Sequence, residues 1–270
     1  MGIDIGGTKT LVGCLDEQGV IMERIKFPTP DTYEAFLKEL ATVVDKLSTR
    51  DFTAAGVAAP GLIDRTAGRV VAFGNRPWKD VPLQTDVEHI AHCPVVVEND
   101  ANLAALSESM LVKDKYNSVL YITVSTGIGI GVAYGQQLSP ALLDAEAGSM
   151  QIDHDGKLEK WETFASGKAI RAKYGKLAVD IHEPEIWDAI SHNLAKGITN
   201  LIDVIQPDVI VLGGSVSAYF DRFKKPLLKE LSSMAGPLTP VPPIIEAGRP
   251  EEAVLYGCYD LAKMRHGTIH

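Results

Sequence analysis

The chain is short of three things, and each shortage removes a class of function. Only three of its 270 residues are cysteines, Cys14, Cys93 and Cys258. They are far apart in apolar contexts, which suits neither a disulfide framework nor a thiolate metal site, so they are read as core residues. No run approaches the roughly 20 consecutive apolar residues that a membrane span needs. Met1 leads into a strand pattern instead of a basic and apolar signal segment, so a soluble, cytoplasmic protein with no membrane partner is expected. Basic residues are outnumbered, 26 against 35 acidic, for a net charge of −9 and a pI near 5.3. No cluster of Lys and Arg offers a face to phosphodiesters, and nucleic acid is not an expected partner. Low-complexity tracts and long linkers are also missing.

What is present is a 46% hydrophobic composition, enough for a sizeable core divided between two lobes. The most informative stretch comes first. Gly2-Ile3-Asp4-Ile5 alternates into Gly6-Gly7-Thr8-Lys9-Thr10, and an apolar strand resumes at Leu11. This is a β-hairpin with a polar tip. Glycines at such a tip let backbone N–H groups approach an anion, Thr8 and Lys9 add a hydroxyl and a charge, and Asp4 stands where phosphate-bound Mg²⁺ takes a carboxylate through water. The plainer alternative is a surface turn that happens to be glycine-rich.

The chain after this hairpin predicts a third strand over 20–27 and a helix after Pro28-Thr29-Pro30-Asp31. A strand over 53–59 ends at Pro60-Gly61, a hairpin spans 62–72, a polar loop covers 74–78 and a helix covers 81–91. Pro94-Val95-Val96-Val97 reads as a buried parallel strand that ends in Glu98-Asn99-Asp100, followed by a helical pattern. Acids and an amide at the C-terminal end of a parallel strand lie on the edge where α/β sheets bind ligands. Asp100 is the candidate general base there, and capping of the following helix by Asn99 or Asp100 is the alternative.

The second half repeats this grammar. Residues 118–124 form a strand, Ser125-Thr126-Gly127-Ile128-Gly129 a glycine and hydroxyl tip, and 130–134 the returning strand. Two such hairpins opening two lobes suggest a duplicated α/β unit facing itself across a cleft, with one nucleotide gripped by both tips. Residues 142–155 are irregular, 158–174 read as mostly helical, and a long amphipathic helix runs from about 185 to 205. The strand 208–212 ends in Gly213-Gly214-Ser215, where a flat ligand such as a purine has room against the backbone; a plain strand-to-helix turn explains these glycines equally well. A strand at 244–246 and helices over 220–231 and 251–264 complete the chain.

Asp4-Ile5-Gly6-Gly7-Thr8-Lys9, Glu98-Asn99-Asp100-Ala101-Asn102, Ser125-Thr126-Gly127-Ile128-Gly129 and Val211-Leu212-Gly213-Gly214 together resemble the ROK family of sugar kinases. Pro60-Gly61, Asn75, Glu146-Ala147-Gly148 and Trp161-Glu162-Thr163 follow in the family's order, so the resemblance covers essentially the whole chain. It implies an α/β, actin-like or hexokinase-like (ribonuclease H-like) ATPase fold. The small lobe would comprise residues 1–103 plus 252–270 and the large lobe residues 104–251. It further implies ATP-dependent phosphorylation of a hexose, most readily glucose, at the 6-hydroxyl. Asp4, Gly6, Gly7, Thr8, Lys9, Thr126 and Gly127 would serve ATP and Mg²⁺, and Gly213 and Gly214 would lie against the adenosine. Asn99, Asp100, Glu146 and Glu162 would hold the sugar, Gly61 and Asn75 would close its rim, and Asp100 would take the proton of the attacking hydroxyl.

Two departures from the family pattern bear on substrate. Ser149 stands where members usually have His after the Glu-x-Gly pair, and residues 151–160 contain no cysteine of the usual zinc loop. No structural zinc is expected, and His154 is read as a surface histidine. The missing His leaves glucose, mannose, fructose and N-acetyl sugars open. Zinc-free relatives that use polyphosphate offer an alternative donor, although the acidic composition gives a polyphosphate track no support. A sugar sensor without catalysis is the non-enzymatic alternative; a DNA-binding repressor is not expected, because the chain opens directly on the hairpin. Relatives commonly dimerise, so a homodimer is one expectation, but no stretch identifies its interface.

Overall fold

The computed structural model describes residues 1–74, 76–250 and 252–267. It divides the chain into two compact units, Met1–Ser107 with Glu251–His270, and Glu108–Pro250.

In the first unit, β1 (Gly2–Ile5), β2 (Lys9–Leu15) and β3 (Ile21–Pro28) form an antiparallel meander. Thr32 caps the following helix α1 (Tyr33–Asp45), its hydroxyl accepting the Ala35 N–H, as a residue that competes for backbone donors does at a helix start. After β4 (Ala55–Ala58), the strands β5 (Gly61–Asp64), β6 (Arg69–Phe73) and β7 (Lys79–Val81) make a small separate sheet. Helix α2 (Leu83–Ala91), strand β8 (Val95–Glu98) and helix α3 (Asp100–Val112) follow. The main sheet has the order β3-β2-β1-β4-β8, with β4 parallel to β1 and β8 parallel to β4. Its core gathers Ile3, Ile5, Val57, Val95 and Val97 with Phe36 and Leu40 of α1 and Leu83 and Val87 of α2. The three cysteines are buried and unpaired.

The second unit opens with β9 (Ser118–Val124), β10 (Ile128–Tyr134) and β11 (Gln137–Leu138), again antiparallel. A hairpin of β12 (Gln151–His154) and β13 (Lys157–Lys160) precedes α4 (Trp161–Ala165), α5 (Gly167–Tyr174) and the long α6 (Pro184–Ile205). Then come β14 (Val209–Gly213), α7 (Phe220–Met234) and β15 (Ile244–Glu246). The sheet order β11-β10-β9-β14-β15, with β14 parallel to both β9 and β15, is the order of the first sheet over again. The repeat read from the two hairpins is thus present as strand topology. Helix α8 (Ala253–His266) belongs to the first unit.

Three local readings need correction. The mostly helical segment 158–174 is a strand followed by two short helices, because Ser166 at φ −75° and ψ 165° ends α4 and caps α5 with its hydroxyl on the Ala169 N–H. The irregular stretch before it holds β12, and Asp155 and Gly156 take the two positive φ values, 55° and 78°, of a tight hairpin turn, which an Asp-Gly pair favours. His154 is no simple surface residue: its ring stacks on Phe164 at 4.2 Å with planes 4° apart.

No helix among the described residues is long and apolar enough to cross a membrane.

Candidate functional site

The expected site residues fall into two groups, one in each unit. In the first, strand register puts Asp4 beside Ala58 and Ala58 beside Glu98, so Asp4 and the residues after β8 share the C-terminal edge of the parallel strands. The β1–β2 turn is closed by the Gly6 N–H on the Lys9 carbonyl at 3.0 Å, with Thr8 and Lys9 exposed and Gly6 and Gly7 half-buried. The turn is also tied from outside. Thr29 donates its hydroxyl to the Gly6 carbonyl at 2.9 Å and its N–H to the Thr8 carbonyl at 3.0 Å. Its hydroxyl in turn lies 3.0 Å from that of Thr10. Thr29 was invisible as a site residue because its role depends on a neighbour 23 positions away.

Asn99 and Asp100 open α3. The Asn99 Oδ1 accepts the N–H groups of Ala101 and Asn102 at 2.9 and 3.4 Å, and the Asp100 carboxylate accepts the Ala101 N–H at 2.9 Å. Asn99 therefore caps the helix through its Oδ1. Burial pushes the Asp100 carboxyl above the usual carboxylate range, opposed by its backbone hydrogen bonds. Asp4 is pushed up to about 7, first by burial and then by the charge of Asp100, with Lys26 pulling the other way. A carboxyl whose burial raises its affinity for a proton, as at Asp100, is suited to accept one, and a second carboxylate close enough to feel its charge, as Asp4 is, gains from a nearby cation.

Gly61 begins β5 at φ +137°, and a Cβ there would stand 2.0 Å from the Ala72 carbonyl oxygen; no other residue fits this backbone. Asn75 lies outside the described residues. Its neighbours are anchored: Arg76 pairs with Asp31 at 2.8 Å and the Trp78 indole donates to the Asp31 carbonyl at 2.7 Å.

In the second unit the β9–β10 turn is closed by the Ser125 N–H on the Gly127 carbonyl at 2.9 Å, and Thr126 is exposed at its tip. Glu162, in the first turn of α4, lies against this hairpin and against the 3-10 turn Ala147–Ser149 that follows Glu146. Its Oε2 stands 2.9 Å from where a Cβ of Gly127 would be and 3.1 Å from that of Gly148. Side chains at either glycine would crowd the carboxylate. Glu162 is set by its neighbour Trp161, which is fully buried and donates its indole N–H to the Asn193 carbonyl at 3.1 Å. The indole fills the space left by Gly197, whose Cβ would stand 2.1 Å from the Trp161 Cε2. Gly197, inside α6, is the seat of this tryptophan.

Gly213 is buried, and the Tyr121 hydroxyl occupies its missing side-chain position; Gly214 takes φ +88° against the Val124 carbonyl. Packing and backbone conformation thus account for both glycines without a ligand. Ser149 is exposed. Among the described residues no three His, Cys, Asp or Glu side chains are gathered to hold a metal ion by themselves.

Comparison with known proteins bears on the family and the fold. The chain is 30% identical to a glucokinase of Streptomyces coelicolor, over 97% of either chain. It is 32% identical to a putative fructokinase of Bacillus subtilis, over 80% of this chain and 76% of that one. The crystal structure of a ROK family glucokinase from Streptomyces griseus in complex with glucose and AMPPNP superposes with a TM-score of 0.82 at 27% identity, covering 97% of this chain and 98% of that one. The mixed α/β, hexokinase-like fold expected from the motifs is therefore the fold observed. With the ROK family model matching residues 1–265, and both glycine hairpins and the Asn99-Asp100 turn where the motifs placed them, this chain belongs to the ROK family.

Proposed function

We propose that the protein is an ATP-dependent sugar kinase that phosphorylates a hexose, glucose foremost, at its 6-hydroxyl. The observation that carries this reading is Asp100. It is a half-buried carboxylate with a raised pKa, set at the C-terminal edge of the parallel strands beside Asp4 and next to a glycine hairpin. Phosphoryl transfer asks a protein mainly for positioning, charge neutralisation and one base at the attacking oxygen. In the proposed step, the sugar oxygen forms a bond to the γ-phosphorus, the bond from that phosphorus to the β,γ-bridging oxygen breaks, ADP leaves, and the hydroxyl proton passes to the Asp100 carboxylate.

The remaining residues take supporting parts. Asn99, through Nδ2, together with Glu146 and Glu162, is assigned to sugar hydroxyls, and Gly61 and Asn75 to the rim. Gly6, Gly7, Thr8, Lys9, Thr126 and Gly127 are assigned to the phosphates, and Gly213 and Gly214 to the adenosine. The donor set fits Mg²⁺, which is usually held by one or two carboxylates together with substrate phosphates and water, not by an all-protein cage. Asp4 is the carboxylate assigned to it, and the cation would supply neutralisation of phosphate charge.

The test is ADP release from Mg²⁺-ATP across glucose, mannose, fructose, allose, N-acetylglucosamine and N-acetylmannosamine, with a no-sugar control and a parallel series on polyphosphate. Stimulation by one hexose with ATP is the expected result. Binding of a sugar without turnover on either donor would replace the kinase by a sensor.

A further inference from the structure

The motif that carries Asp100 begins with a residue to which no role has been given. Glu98 ends β8 and is 4% exposed, so it is out of reach of substrate. A carboxylate in such a place is tolerable only with its oxygens fully engaged, and four donors engage it. Arg65 grips it as a fork, Nε to Oε2 at 2.7 Å and Nη2 to Oε1 at 2.6 Å. Oε1 also accepts the Asn99 N–H at 2.8 Å and the Asn102 Nδ2 at 3.0 Å. Residues 99 and 102 lie on either side of Asp100 in sequence. The same carboxylate therefore holds the chain just before Asp100 and the side chain two residues after it, while Asn99 and Asp100 themselves cap the helix. Asp100 cannot swing about its backbone without opening these bonds.

The other end of the clamp is equally well placed. Arg65 sits in the turn between β5 and β6, which the Asp64 carboxylate shapes by accepting the N–H groups of Thr66 and Ala67 at 3.1 and 3.0 Å. The hairpin that presents Gly61 is thereby fastened to the turn that presents Asp100. A bidentate guanidinium is suited to this, because its planar fork fixes direction as well as distance, which a lysine ammonium does not.

We propose that Arg65, acting through Glu98, is a positioning residue for catalysis: the Arg65–Glu98 fork holds the Asp100 carboxylate in line with the sugar hydroxyl. This rests on the reading of Asp100 as the base. Neither residue touches the reacting atoms; their effect is on the fraction of bound complexes in a reactive geometry, so it belongs in kcat and not in nucleotide affinity.

The experiment compares wild type, Arg65→Ala, Arg65→Lys and the double variant Arg65→Met with Glu98→Gln. The double variant removes both charges of the pair together, so that buried Glu98 is not left as an unpaired carboxylate, and keeps an amide oxygen for the Asn99 N–H; it guards against simple unfolding of the single variants. Thermal unfolding and KM for ATP are read beside kcat with the preferred sugar. The expected result is a roughly 10- to 100-fold loss of kcat in Arg65→Ala and the double variant, with KM for ATP within about twofold of wild type and a cooperative melt retained. Millimolar guanidinium should restore part of the kcat of Arg65→Ala, where urea does not, and Arg65→Lys should fall between the extremes. Folded variants with kcat within about threefold of wild type would overturn the proposal. So would losses of kcat that track loss of folded protein, with no guanidinium rescue. If wild type shows no sugar-stimulated ADP release, the kinase reading fails and takes this one with it; wild-type turnover with indifferent Arg65 variants sinks this one alone.

Discussion

The two units share one strand order and one kind of hairpin, yet they hold their candidate carboxylates by different means. In the first, Glu98, Asp100 and Asp4 sit in a polar network: a guanidinium fork, helix-cap hydrogen bonds, and an Asp4 carboxyl raised to about 7 by its burial and then by the charge of Asp100. In the second, Glu162 is placed by packing, with glycines on either side of its carboxylate and its neighbour Trp161 seated in the gap above Gly197. The lesson is that topology decides where a group stands, at a strand end or beside a hairpin tip, while the local side chains decide how firmly and in what charge state it stands there. A network of charges tunes protonation; a packed aromatic fixes direction without touching the charge.

This contrast breaks most sharply at Asp100. Asp100→Asn should lower kcat by roughly 10²- to 10⁴-fold, because the proton acceptor is lost, while the melting temperature stays the same or rises, since burial already disfavours the charged form. Sugar-stimulated ADP release and a thermal melt on the same preparation check both halves. The counterpart in the second unit is Gly197→Ala, which places a methyl where the indole of Trp161 lies. There the loss should be in stability, about 3 kcal/mol by urea titration, at the upper end for overpacking a tight core. An unchanged midpoint would mean that the Trp161 seat yields easily and does not fix Glu162.

A smaller effect separates the two by pH. The Asp4 carboxyl is raised from 3.8 to about 7, so the folded state binds the proton more tightly than the unfolded chain. Its contribution to stability is full below about pH 4 and is lost as pH rises through about 7. Wild type should lose on the order of 2 kcal/mol across this window, after allowance for the partial exposure of Asp4. Asp4→Asn should flatten that slope, and Mg²⁺ should restore stability near pH 7.5 in wild type only. Urea titrations at pH 4.5 and 7.5, with and without the cation, measure all three.

Much of this arrangement was readable from residue order. Glycines flanked by alternating apolar residues marked both hairpins, short β-branched runs marked β8 and β14, and the 3.6-residue period marked α6. What escaped was of two kinds. The β12–β13 hairpin is nearly all polar, so its only signal is the Asp155-Gly156 turn, and a helical reading of the following residues overran it. Arg65 and Thr29 escaped because nothing near them in sequence shows what they bind: Arg65 reaches 33 positions to Glu98, and Thr29 reaches 23 to Gly6. Glu98 stood inside a noticed motif, at the end of a strand read as buried, but that its own carboxylate is buried follows only from the Arg65 fork that engages it.

The order of residues by itself determined the family, the repeated strand-hairpin plan and the identity of the candidate base, because each rests on local periodicity, turn chemistry or motif spacing. Only the tertiary structure decided which glycines serve packing, as Gly213 does for Tyr121 and Gly197 for Trp161, and which charges hold the turn that carries the candidate base, as Arg65 does through its bonds to Glu98. Those choices depend on burial and on contacts between residues far apart in the chain, and neither quantity exists until the chain has folded.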